Sequence, residues 1–136
     1  MLLRKLQDEK KSCFLVLAKA IMSADGEIHE KEKELFDEIC YELNVNVELY
    51  VKKNYDETLR ALTNMCSTVE KRLIMFELLS MACVDKYVNE AENTYLKNIK
   101  TAFKINDTDY NEMLDLSIDL LDIQQDIRIA INRESR

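Results

Sequence analysis

Phe14-Leu15-Val16-Leu17-Ala18-Lys19-Ala20-Ile21-Met22-Ser23-Ala24-Asp25-Gly26 is the stretch that decides the fold of this chain. From Phe14 to Met22 only Lys19 interrupts a segment that is apolar nearly all round, the pattern of a helix buried in the middle of a bundle. Upstream, Leu3, Leu6, Cys13, Leu17, Ala20 and Ala24 keep a three-and-four spacing broken only at Lys10, so the spacing predicts a first helix from Leu3 almost to Asp25. Asp25-Gly26 then ends it with the only glycine in the chain, the residue best suited to a left-handed backbone after a helix. Ile28, Leu35, Phe36, Ile39 and Leu43 mark the inward face of a second helix over about 30–43.

The same hairpin is written twice. A gapless shift of 60 residues lays Asp25 on Asp85, Glu30 on Glu90, Glu32 on Glu92, Ile39 on Ile99 and Asn46 on Asn106. The apolar partners agree: Ile21 with Met81, Ile28 with Val88, Phe36 with Leu96, and Leu43 with Phe103. The second all-apolar helix, with Leu73-Ile74-Met75-Phe76 and Met81-Ala82-Cys83-Val84, covers about 68–85 and opens on Ser67-Thr68-Val69-Glu70, which has the form of a capping box. Its hairpin partner runs from Asn89-Glu90 to about Phe103. Short helices are expected over about 46–53 and 56–65, and a last one from Asp107 or Thr108 to about 133. Two hairpins with one fully apolar helix each most naturally pair those helices at the centre, giving an all-α bundle of about seven helices in two pseudo-twofold-related halves, at about 11–50 and 71–110.

Composition supports this and narrows function. Proline is absent and glycine occurs once, so the punctuation of β-hairpins and long irregular loops is missing. A length of 136 residues suits one domain over 1–136, with a core that needs no staples. The net charge of -7 argues against nucleic acid, whose phosphates require a basic patch, and favours cations or basic partners. Arg4 and Lys5 break the N-terminal apolar stretch before a signal-peptide core forms, and no later run nears the length of a membrane span, so a cytoplasmic location is expected. Cys13, Cys40, Cys66 and Cys83 are scattered without a C-x-x-C pair and read as small core hydrophobes.

No catalytic residues are assigned, and a non-enzymatic role is expected. His29 is the only histidine, no serine sits in a G-x-S-x-G setting, and one glycine excludes the Walker loop and the dinucleotide fingerprint. His29 aligns with Asn89, directly before the second helix of each hairpin, where it is expected as an exposed N-cap. Asp25, Gly26, Ile28 and Glu32 match the second half of an EF-hand loop, but the first ligand position falls on Ile21, which has no oxygen to offer.

The acids of the two turns have two readings. Glu32 and Glu92 stand three residues after His29 and Asn89, where they can reach back to cap. Asp25 and Asp85 lie at helix C-termini, where the dipole disfavours negative charge and something must compensate. That is either a backbone amide of the turn or a divalent cation shared with Glu32 or Glu30. On the last helix Asp115, Asp119, Asp122 and Asp126 read as a solvated face. Met113, Leu116, Leu120, Ile123, Ile127 and Ala130 form a heptad-like stripe there, expected to pack on the chain's own core, with a partner or homodimer seam as the alternative.

Leu17-Ala18-Lys19-Ala20-Ile21-Met22-Ser23-Ala24-Asp25-Gly26-Glu27-Ile28 with Glu32, followed by Ala82-Cys83-Val84-Asp85 and Glu92, resembles the TerB-like tellurite-resistance family over roughly residues 10–110. The resemblance implies about seven helices, a cluster of acids that binds divalent metal, and a cytoplasmic stress-associated role beside membrane-bound protein partners. The metal ligands it implies are Asp25, Glu32, Asp85 and Glu92, with Glu30 and Glu90 secondary. Hard carboxylate oxygens favour calcium, then magnesium or manganese. Lys86 stands where the first copy has Gly26, so the two halves are unequal.

Overall fold

The computed structural model describes residues 2–26, 30–45, 54–84 and 88–134. Among them the chain is all-helical: a 3-10 turn (Leu2–Lys5) precedes α1 (Asp8–Met22), α2 (Glu30–Leu43), α3 (Tyr55–Met65), α4 (Thr68–Ala82), α5 (Glu90–Ala102) and α6 (Asp107–Asn132). These are six α-helices where about seven were expected. The segment expected over 46–53, and the residues Glu27, Ile28, His29, Asp85 and Lys86, lie outside the described residues.

The 60-residue repeat is visible in the backbone. α1 and α4 begin and end at equivalent positions, and their C-caps, Ser23 and Cys83, have nearly the same backbone angles (φ -93 and -86, ψ 4 and 1). The second helix of each hairpin is followed by a left-handed residue, Asn44 at φ 50 and Lys104 at φ 56. Side-chain burial repeats too: Ile21 and Met81, Phe36 and Leu96, Ile39 and Ile99, and Leu43 and Phe103 all lie in one core cluster.

The two apolar helices sit at the centre, as their composition demands. α1 buries Cys13 through Ala18 together with Ile21 and Met22, and packs against α2, α3, α4 and α5. α4 packs against α1, α2, α5 and α6. Lys19, the one charge in the apolar run, escapes by laying its ammonium over the Phe36 ring of α2, 5.8 Å from the centroid. Between α3 and α5, Tyr55 and Tyr95 meet edge to face at 5.0 Å, and the Tyr55 hydroxyl accepts a hydrogen bond from Asn98.

Two expectations are corrected. The first helix is not continuous from Leu3: Leu3 and Leu6 are buried, but in the 3-10 turn, and α1 begins after an extended Gln7. Asp8 and Glu9 thereby fall in the first turn of α1, where negative charge complements the dipole. α1 also stops at Met22, so Gly26 (φ +85) serves the connecting turn and not the helix end itself.

α6, expected to pack along its whole stripe, packs on the core only through its N-terminal half. Arg72 pairs with Asp109 at 2.9 Å and the Ser80 and Ser117 hydroxyls meet at 3.3 Å, so α6 runs parallel to α4 at a constant offset. At that offset the last residue of α4, Ala82, is level with Asp119, and α6 runs on beyond the end of α4. Tyr110 and Ser117 are buried and Met113 and Leu114 pack on the core, whereas Leu116, Leu120, Ile123 and Ile127 are exposed. Asp115, Asp119, Asp122 and Asp126 are exposed as expected. An open groove of about 830 Å³ separates this part of α6 from α2 and the 3-10 turn. No helix among the described residues is long and apolar enough to cross a membrane.

Candidate functional site

The packing of α1 against α5 brings the turn after α1 to the start of the second hairpin's outer helix. Ser23 closes α1, with its hydroxyl donating to the Lys19 carbonyl at 2.8 Å, and the Gly26 amide donates back to the Ser23 carbonyl at 3.0 Å. That turn holds Asp25 at the surface, where its carboxylate accepts a hydrogen bond of 3.1 Å from the side-chain amide of Asn89.

Asn89 is the N-cap of α5. Its Oδ1 accepts from the Glu92 amide at 2.8 Å, and the Glu92 carboxylate accepts from the Asn89 amide at 3.4 Å, which completes a capping box. Asp25, Asn89 and Glu92 therefore form one chain of polar contacts that crosses between the hairpins. One donor to Asp25 is thus a side chain from the other half of the repeat, an option beside the turn amide and the cation. In the sequence Asn89 reads only as a helix start. Its position as the aligned partner of His29 and as the head of a box with Glu92 was the available signal.

The sequence-predicted acids divide by burial. Glu32 and Glu92, equivalent in the repeat, are 1% and 2% exposed, while Asp25, Glu30 and Glu90 are exposed. Full burial of a glutamate is rare without compensation, because ionised carboxylates lose strong hydration on leaving water. Asp85 lies outside the described residues, and among those described no three acidic, histidine or cysteine side chains are grouped closely enough to hold a metal ion.

The two halves also meet through Lys10 and Glu70, themselves 60 positions apart and therefore equivalent in the repeat. The Lys10 ammonium reaches the Glu70 carboxylate at 2.9 and 3.0 Å, so equivalent positions of the two halves touch. Glu70 is simultaneously the acid of the capping box at Ser67. The Ser67 backbone amide, and after it the Lys10 ammonium, hold the Glu70 carboxyl below the usual range, and Glu70 in return holds Lys10 above its own. Cys13, Cys66 and Cys83 are buried, and burial pushes the Cys66 and Cys83 thiols up, away from the reactive thiolate. No family model, curated protein or solved structure matches this chain.

Proposed function

We propose that this chain is a non-enzymatic TerB-like domain whose acidic turns hold a hard divalent cation, calcium ahead of magnesium and manganese. The observation that carries the reading is the burial of Glu32 and Glu92 at equivalent places in the repeat, beside a turn whose Asp25 touches the cap of the opposite hairpin. Buried carboxylates keep little hydration of their own, and a doubly charged ion interacts favourably with several such oxygens at once. The donor set is all oxygen, which suits calcium and disfavours zinc or copper. Asp25, Glu32, Asp85 and Glu92 are the ligands in this reading, with Glu30 and Glu90 contributing from the rim. The setting that goes with it is a cytoplasmic, stress-associated or tellurite-resistance-type role beside membrane-associated protein partners.

Calorimetry with calcium, magnesium and manganese tests it on the wild type and on Asp25→Asn combined with Asp85→Asn. Saturable calcium binding by the wild type, lost in an equally stable double variant, is the expected result. An absence of binding by the wild type removes the reading.

A second reading is favoured by the complete capping box at Asn89 and Glu92. Here the acids only cap helices and the domain acts as a protein-interaction module. Glu92→Gln separates the two in metal-free buffer and in calcium, since a residue that only caps gives the same change in stability under both conditions.

A further inference from the structure

The part of α6 beyond the end of α4 runs from Leu120 to Asn132, about 20 Å of helix at 1.5 Å per residue. Leu116, Leu120, Ile123, Ile127 and Ile131 recur along it at intervals of four, three, four and four, which places them in one stripe. All five are exposed, and Ile123, Ile127 and Ile131 are more than half exposed. Their exposed area is on the order of 500 Å², as large as the largest apolar patch on ordinary monomers and a large part of one side of a stable interface. Immediately to one side, seven residues apart, stand the exposed carboxylates of Glu112, Asp119 and Asp126. On the other side Leu120 and Gln124 open on the groove toward α2, so a helix laid along the stripe is not blocked by the body of the domain.

We propose that this stripe is a docking surface for an amphipathic helix carrying lysine or arginine along one flank of its apolar face. Charge decides between this occupant and a second copy of the chain. Antiparallel self-pairing that seats Leu120 on Ile123 and Leu116 on Ile127 of a second copy sets Asp119 against Asp126 twice, between molecules that each carry -7. Parallel self-pairing sets Asp119 beside Gln124 and leaves both acidic rows uncompensated. A basic flank satisfies the carboxylates while its apolar face covers the stripe. The surface lies on a different element from the acidic turns, so the inference stands apart from the cation reading.

The test uses the full chain and a labelled 21-residue helical peptide with leucines at heptad spacing flanked by lysines, read by fluorescence anisotropy. Two control peptides carry glutamate in place of every lysine, or the same residues in scrambled order. The lysine peptide is expected to bind at least about tenfold tighter than either control. Ile123→Ser with Ile127→Ser is expected to lose at least about tenfold of that affinity, and Asp119→Lys with Asp126→Lys to prefer the glutamate peptide. All four positions are exposed, so melting temperature and helix content should match the wild type and exclude misfolding as the cause. Equal binding of the lysine and glutamate peptides, or a preference unchanged by the charge reversal, overturns the proposal. So does sedimentation equilibrium that shows a dimer dispersed by the two serine substitutions, because a second copy then covers the stripe.

Discussion

The Asn89 side chain donates to Asp25 across 3.1 Å while its carbonyl oxygen caps α5, so one residue both starts a helix and ties the two hairpins together. An N-cap needs only an acceptor, which aspartate supplies as well as asparagine does. The second task needs a donor on the same side chain. Asparagine has both.

Substitutions at Asn89 should therefore separate the tasks. Asn89→Ala removes both and is expected to cost about 1–2 kcal/mol in urea unfolding. Asn89→Asp keeps the acceptor for the Glu92 amide but sets a second carboxylate against Asp25. In EDTA it should melt below the wild type, and if the turn holds a cation, millimolar calcium should restore the loss. A melt indifferent to calcium counts against the ion.

Stability should depend on pH through Glu70. Its carboxyl is held below the ordinary 4.5 by the Ser67 amide first and Lys10 second, so the unfolded chain takes up this proton before the folded one does. The stabilisation is present above the unfolded value and is lost as pH falls through the lower folded value. Denaturation of wild type and Glu70→Gln at about pH 7 and about pH 3 should show the difference between them shrinking at acid pH. A constant difference would mean that the charge of Glu70 contributes nothing.

Two left-handed positions make opposite predictions. Gly26 has a φ of +85, and an added Cβ meets nothing within 4 Å, so Gly26→Ala should cost about 1 kcal/mol from backbone conformation alone. Lys104 already occupies the left-handed region at φ 56, and Lys104→Gly should stabilise by up to about 1 kcal/mol. Chemical denaturation of both variants checks the signs.

The thiols should react in order of accessibility. Cys40 is only partly buried, whereas Cys13, Cys66 and Cys83 lie in the interior. In native protein one equivalent of maleimide should add first at Cys40, and Cys40→Ser should abolish that early phase. Mass spectrometry of the labelled peptides identifies the site. Early labelling of Cys83 would show that its end of α4 opens locally.

What is local could be read from the order of residues alone. The apolar run from Phe14 to Met22 and its counterpart in α4 made both helices central, since a helix apolar on every side has no face for water. The capping box at Ser67 and the start of α5 after Asn89 were equally legible, because caps depend on residues three apart. Which surfaces face one another is set by packing between helices far apart in the chain. Asp25 meets Asn89 because α1 packs on α5, and no pattern within either turn encodes that contact. The stripe on α6 shows the same limit: heptad spacing states that a face wants to be covered, but what covers it depends on where the neighbouring helix ends. α4 ends at Ala82, level with Asp119, so Met113 and Leu114 found a core while Ile123 and Ile127 did not.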